Sequence, residues 1–357
     1  MAPCPLMRRY EGNPVLAPRP GCFWEAGGTF NPAVFRYGGK IYMVYRQVSR
    51  NCVSTLGLAV SRDGYEFLDR MPQPVYVPRA RFETHPEALG ELRGKDFCSR
   101  VASFRHVSGA SCFGVEDPRI ALMNNRIYLT YVAFNGVDPP RGALTWIDVV
   151  DFLNERWDMW AKPIPVTHPS IPDKSVVMLP RRVRGKIAFF HRIFPHVWLD
   201  YVDDVSELTR RYLWGYPAIR TRPPSWDSRK IGVGSVVEWG PYFLATYYGV
   251  TGWDDYYYSE GLSPRDFAES DGYRYKIGVM VLDGEDPSRV LYRSPEPVAE
   301  PEAWYELHEP VTPNVIYPTG SLLEGEKLLI YYGASDYFVA LGELDLGPLR
   351  DELSREL

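Results

Sequence analysis

A chain of 357 residues, 45% hydrophobic and 14% aromatic, can bury a sizeable core; its formal net charge of −5, with no run of like charge, excludes a polycation for nucleic acid and a basic membrane-binding face. The N-terminal MAPCPLMRRYEGNPVL lacks a continuous apolar segment, and nothing approaches the roughly 18 apolar residues of a membrane span, so a cytoplasmic globular protein is expected. Five cysteines (Cys4, Cys22, Cys52, Cys98, Cys112) without CxxC spacing argue against a zinc site and a full disulfide framework, leaving room for one bridge.

From the N-terminus onward, short runs rich in Tyr, Val, Ile and Phe alternate with Gly, Pro and Asp turns, which predicts an all-β chain. The first hairpin is NPAVFRYGGKIYMVYR (31–46), followed by the strand-like STLGLAVSRDGYEFL. Residues 78–112 read as an inserted loop above this unit. The second hairpin is DPRIALMNNRIYLTYVAF (117–134), followed by ALTWIDVVDFLNERW, and the third is DKSVVMLPRRVRGKIAFFHR (173–192), followed by VWLDYVDDVSELTRRYLW. GVGSVVEWGPYFLATYYG (232–249) and TPNVIYPTGSLLEGEKLLIYYGASD (312–336) are the fourth and fifth, trailed by YKIGVMVLDGEDPSRVLYR and FVALGELDL. Repeated four-stranded units that cannot bury both faces alone stack radially, so the chain is expected to form a single five-bladed β-propeller domain over 1–357.

In an antiparallel hairpin the start of the first strand and the end of the second share one edge, so equivalent positions of all blades should meet at one mouth of the central channel. Those positions hold Asn31 and Arg46; Asp117, Arg119 and Phe134; Asp173, Lys174, His191 and Arg192; Ser235 and Tyr248; Asn314 and Asp336. The opposite turns, YGG, MNN, VRG, EWG and EGE, are ordinary turn chemistry. Alone, Asp117-Pro118 is a strand opener; in register with Asn31-Pro32 and Asp173-Lys174 it becomes a candidate site, with Glu116 and Arg119 as its buttresses. Lys174, Arg192 and Lys230 gather cations that either pair with Asp117, Asp173 and Asp336 or hold an anion such as phosphate. His191 lacks any metal-binding context and reads as a packed histidine, and no metal is expected. Tyr247, Tyr248, Trp253, Tyr256, Tyr257 and Tyr258 are core or rim residues that would also suit stacking on a sugar ring.

The ordered series EDPR, DKSVVMLP, HR, KIGVG, LDGEDPSRVLYR and IYYGASD, spread over essentially the whole chain, resembles glycoside hydrolase family 130, the β-mannoside phosphorylases and related mannosidases of five-bladed propeller fold. The resemblance implies that Asp117 is the catalytic acid, donating its proton through a sugar hydroxyl; that Asn31, Arg46 and Asp336 bind the mannosyl unit; and that Lys174, Arg192 and Lys230 hold phosphate. Where phosphorylases usually carry Tyr-His-Gly, this chain has Tyr247-Tyr248-Gly249, which puts the neutral donor Tyr248 at a phosphate position. The expected reaction is inverting phosphorolysis of a β-mannosidic linkage to α-mannose 1-phosphate. Inorganic phosphate is co-substrate, no other cofactor is expected, and a homo-oligomer is compatible with the sequence. The alternatives are a hydrolase of the same fold using Glu238 or Glu260 as base, and a noncatalytic carbohydrate-binding propeller.

Overall fold

A computed structural model describes residues 6–90, 109–251, 274–307 and 311–356. The chain enters with a two-residue strand, β1 (Arg8–Arg9). Blade 1 follows as β2 (Gly28–Tyr37), β3 (Lys40–Val48), β4 (Val53–Ser61) and the short β5 (Asp69–Arg70). Blade 2 comprises β6 (Phe113–Met123), β7 (Arg126–Phe134), β8 (Arg141–Asp148), the helical turn α1 (Val149–Leu153) and β9 (Ile164–Pro165). Blade 3 is β10 (Asp173–Met178), β11 (Ile187–Ile193), β12 (His196–Val202) and β13 (Tyr216–Ile219). Blade 4 is β14 (Lys230–Trp239), β15 (Tyr242–Val250), β16 (Tyr275–Asp283) and β17 (Val290–Arg293). After the helical turn α2 (Trp304–Leu307), blade 5 runs β18 (Ile316–Glu324), β19 (Lys327–Ala334) and β20 (Phe338–Asp345), and the chain ends in α3 (Gly347–Glu356).

The ring closes in two ways. The inner strands β2, β6, β10, β14 and β18 touch in sequence, and β18 returns to β2. The outer edge of blade 5 is supplied by the opposite end of the chain, β1 pairing with β20. Glu343 of β20 holds this edge, taking bonds from Arg8, Tyr65 and Lys327. Sequence reading missed β1 because two arginines in a turn-rich leader form no run of strand-favouring residues. Blades 1 and 2 also join through a short parallel pairing of Val53–Ser54 with Phe113–Gly114. Apolar clusters fill the spaces between neighbouring blades: Phe189 and Ile187 of blade 3 face Leu144 of blade 2, while Phe190 and Ala188 face Ile231 and Phe243 of blade 4. Alternate residues of one strand thus serve different inter-blade clusters, which is why these strands read as continuous apolar runs.

The buried tyrosines carry hydroxyls that must find partners, and each blade solves this in the same way. A ring on its second strand bonds a buried carboxylate from the segment entering the blade. Tyr45 donates to Glu25 at 2.7 Å, Tyr131 to Glu83, Tyr247 to Asp227 at 3.0 Å and Tyr332 to Glu306 at 2.8 Å. In blade 3 His191 takes the place of tyrosine, its Nδ1 lying 2.7 Å from Asp173 Oδ2. Arginines complete three of these clamps: Arg19 and Arg70 on Glu25, Arg222 and Arg293 on Asp227, and Arg9 on Glu306. Cys112 is disulfide-bonded, Cys22 and Cys52 are free, and no helix among the described residues is long and apolar enough to cross a membrane.

Candidate active site

All five inner strands carry one extra residue near the same end, where the ladder slips between Phe30 and Ala33, Glu116 and Arg119, Lys174 and Val177, Val233 and Ser235, and Pro318 and Gly320. Such bulges bend a strand and re-aim its side chains. In the first three the residue lies in the left-handed region: Asn31 at φ 48°, Asp117 at φ 48° and Ser175 at φ 54°. Asn and Asp tolerate this conformation, and non-glycine residues held there concentrate at functional sites. Two expectations change accordingly. Asp117 does not open its strand, which begins at Phe113, and its counterpart in blade 3 is Ser175 instead of Asp173. In blades 4 and 5 the equivalent positions are Val233 and Pro318, opposite Tyr247 and Tyr332, not Ser235 and Asn314.

The bulges turn Asn31 and Asp117 toward one another. Asn31 Nδ2 donates to Asp117 Oδ1 at 2.7 Å, and Arg46 Nη1 donates to the same oxygen at 3.2 Å. Arg46 is itself held by Ser54 Oγ at 2.9 Å, by the Gly109 carbonyl and Ser111 Oγ, and by the fully buried Glu116 at 3.1 Å. Glu116 thus anchors Arg46. Asp336, with Ser335 at φ 52° before it, lies against Gly109, where a Cβ would come within 3.0 Å of its Oδ2. The two carboxylates are pushed in opposite directions. Burial alone would raise Asp117, but Arg46, Arg119, the Asn31 hydrogen bond and Lys174 outweigh it and hold the group below the usual carboxylate range. Asp336 is raised, chiefly by burial, with the charge of Asp117 adding to the effect.

Arg119 spans the channel. Its Nη1 donates to the Asp117 carbonyl at 2.7 Å, its Nε to the Gly234 carbonyl of blade 4 at 2.9 Å, and its Nη2 to the Tyr317 hydroxyl of blade 5 at 3.1 Å. Tyr317 also meets Ser175 Oγ of blade 3 at 3.0 Å, so one guanidinium and one phenol tie four inner strands together. With Nε, Nη1 and Nη2 each donating to the protein, Arg119 buttresses the channel. Gly234 is required for the close approach of β14 to β18: a Cβ there would stand 2.1 Å from the Pro318 carbonyl.

The cations lie on the adjoining blades. Lys174 and Arg192 are register partners on β10 and β11, and Lys174 acts on both Asp117 and Asp336. The buried Lys230 opens β14 with its ammonium 4.6 Å from the centre of the Tyr275 ring. Tyr275 packs on Tyr248 at 5.3 Å and Tyr248 on Tyr317 at 4.9 Å, so a run of tilted rings leads from Lys230 to the channel buttress. Tyr317 escaped sequence reading because an aromatic strand residue looks like core until its partners are known.

Several sequence candidates lie elsewhere. Asp173 is spent on His191 and Tyr247 on Asp227. Glu238 sits beside the opposite turn, paired with Phe243 across the strands and 3.4 Å from Arg181, too far along its blade to activate a nucleophile at the mouth. Trp253, Tyr256, Tyr257, Tyr258, Glu260 and residues 91–108 of the insertion fall outside the described residues. On the opposite face a groove of about 600 Å³ is lined by Asn124, Arg126, Asp148, Asp151 and Arg156, but its charges pair with one another (Arg126 with Asp148, Arg156 with Asp151) and do not converge on a common point. Among the described residues no group of His, Cys, Asp and Glu is placed to hold a metal ion.

Comparison with known proteins points the same way. Residues 107–353 match the model of glycoside hydrolase family 130, described as beta-1,4-mannooligosaccharide phosphorylase. The 1,2-beta-oligomannan phosphorylase of Thermoanaerobacter sp. is 27% identical over 96% of this chain and 99% of its own. The Beta-1,4-mannooligosaccharide phosphorylase of Ruminococcus albus is 25% identical over 93% of this chain and 86% of its own. Among solved structures, Beta-1,2-mannobiose phosphorylase from Listeria innocua in complex with beta-1,2-mannobiose superposes with a TM-score of 0.71 at 20% identity, covering 98% of this chain and 99% of that one.

Proposed function

The chain belongs to glycoside hydrolase family 130, and from that premise we propose that it is an inverting β-mannoside phosphorylase, with a β-mannosyl unit seated at the channel mouth among Asn31, Arg46 and Asp336. The reading is supported by the register pair Lys174 and Arg192, whose lysine acts on the carboxylate clamped by Asn31 and Arg46, and by the buried Lys230 on the next blade. An inverting hydrolase needs a second carboxylate as base; when phosphate is the nucleophile, cations take that place.

In the step, a phosphate oxygen held by Lys174, Arg192 and Lys230, with Tyr248 as a neutral donor, attacks the anomeric carbon as the bond to the glycosidic oxygen breaks. The leaving oxygen takes a proton from a sugar hydroxyl, which is replenished by Asp117. The products are α-mannose 1-phosphate and an acceptor one unit shorter. Asp117 is held ionised by its cations, but a phosphate anion beside Lys174 offsets their attraction and raises the carboxyl toward the range in which it can carry the proton.

Incubating a panel of mannobioses with and without phosphate tests this reading. Mannose 1-phosphate is expected only with phosphate, and Asp117→Asn should lower turnover by about 10²–10⁴-fold, the usual worth of a positioned acid. Free mannose formed at full rate in phosphate-free buffer would refute phosphorolysis and leave the hydrolase. Sugar binding without turnover in either buffer would leave the carbohydrate-binding propeller.

A further inference from the structure

Of the rings expected to stack on sugar, the two among the described residues are committed elsewhere: Tyr247 to its clamp, and Tyr248 buried against Tyr275 and Tyr317. A different pair stands exposed where blades 2 and 3 meet. Trp214 is 51% and Tyr212 41% accessible. Neither sits on a loose loop. The Trp214 amide donates to Asp200 Oδ2 at 2.9 Å, its carbonyl lies 3.1 Å from His191 Nε2, and Asp200 also binds Arg211 Nη1 at 2.6 Å. The following Gly215, at φ 63°, lies so close to blade 3 that a Cβ would stand 1.9 Å from the Leu199 carbonyl. The Trp214 ring packs on Trp198 at 5.8 Å, and Tyr212 meets the His168 ring at 5.5 Å. Beneath Tyr212, the guanidinium of Arg141 lies 5.4 Å from the ring centre; Arg141 is nine-tenths buried, and its Nε has no hydrogen-bond partner.

Rigidly mounted, half-exposed aromatic rings beside polar donors suit pyranose rings, whose C–H faces are apolar and whose rims need hydrogen bonds. Mounting them in advance removes most of the ordering cost of binding. The ledge adjoins the strands that carry the mouth cations: the histidine that meets Trp214 immediately precedes Arg192, and its partner Asp173 immediately precedes Lys174. We propose that Trp214 and Tyr212 form an outer carbohydrate platform that binds the units of a longer β-mannoside beyond those flanking the cleaved bond. This rests on the phosphorylase reading for its link to turnover, though not for binding itself.

Phosphorolysis of β-mannosides from dimer to pentamer, with wild type, Trp214→Ala, Trp214→Tyr and Tyr212→Ala, tests the platform. Wild-type kcat/KM should rise with chain length. Trp214→Ala should lose about three- to tenfold on the tetramer through KM, the worth of one ring contact, with a loss that shrinks toward the dimer, and Trp214→Tyr should restore most of it. Titrating wild type and Trp214→Ala with the tetramer while following tryptophan fluorescence separates the two readings. A quench seen in wild type and lost in the variant upholds the platform even if no substrate turns over, a result that would sink only the phosphorylase. A loss equal on dimer and tetramer, or no quench in wild type, overturns the platform.

Discussion

Gly333→Ala probes the acid through its neighbour Asn31, leaving the Asp117 carboxylate itself unaltered. A Cβ at this position would lie 1.8 Å from Asn31 Oδ1 and 3.0 Å from the Asn31 backbone nitrogen. Ordinary contact requires the amide oxygen to retreat by about 1.6 Å, and close-packed surroundings allow such a shift only by swinging the whole side chain. The bond from Asn31 Nδ2 to Asp117 Oδ1 is 2.7 Å long and does not survive a displacement of that size. Losing a hydrogen bond to a charged group costs about 1.5–3 kcal/mol, and overpacking adds about 1–3 kcal/mol. Asp117 loses one of the interactions that hold it ionised and moves up, while its carboxylate leaves the reactive position, a fault worth about 10²-fold in rate. Steady-state phosphorolysis of mannobiose alongside thermal unfolding is the assay. Gly325→Ala is the control, since Gly325 has φ 59° and open space around its would-be Cβ, so that variant carries backbone strain alone. A folded Gly333→Ala enzyme with kcat within about threefold of wild type would show that the Asn31 clamp does not position the acid.

Asp336→Asn should abolish turnover yet stabilise the fold at pH 7, because the raised carboxyl is costly to ionise when buried beside Asp117; the gain in Tm, about 1 °C or more, should fade as pH falls and Asp336 protonates in wild type. A variant that melts lower at pH 7 would contradict this. Glu343, drawn down to about 2 by Tyr65, Arg8 and Lys327, contributes stability at neutral pH that is lost as pH falls through that value. Glu343→Gln should therefore cost about 1–2 kcal/mol at pH 7 in urea titrations, with no difference from wild type at the acid end. Lys230→Met should raise the KM for phosphate by about tenfold or more while moving that for mannoside little; equal effects on both would place Lys230 in the scaffold.

Much of the fold was legible because it is written locally. Runs of aromatic and β-branched residues in β3, β7, β11, β15 and β19, each following a tight turn, mark a hairpin without knowledge of any neighbour. The site was legible only in part. Asn31, Arg46, Asp117, Lys174 and Arg192 were placed at one mouth by hairpin geometry, but the register of blade 3 was misjudged by two residues, since a bulge leaves no mark in composition.

Sequence by itself determined the strands, their turns, the fivefold repeat and the end at which polar side chains gather, because each depends on residues within a few positions of one another. Tertiary structure decided which of those side chains meet. Asn31 and Asp117 are 86 residues apart, Arg119 and Gly234 are 115 apart, and Arg119 and Tyr317 are 198 apart. The closing strand joins Arg9 to Gly342 across nearly the whole chain. No local pattern encodes such contacts; they exist only once five blades close into a ring, and the closure turns an Asp-Pro that reads locally as a strand opener into a clamped carboxylate facing cations.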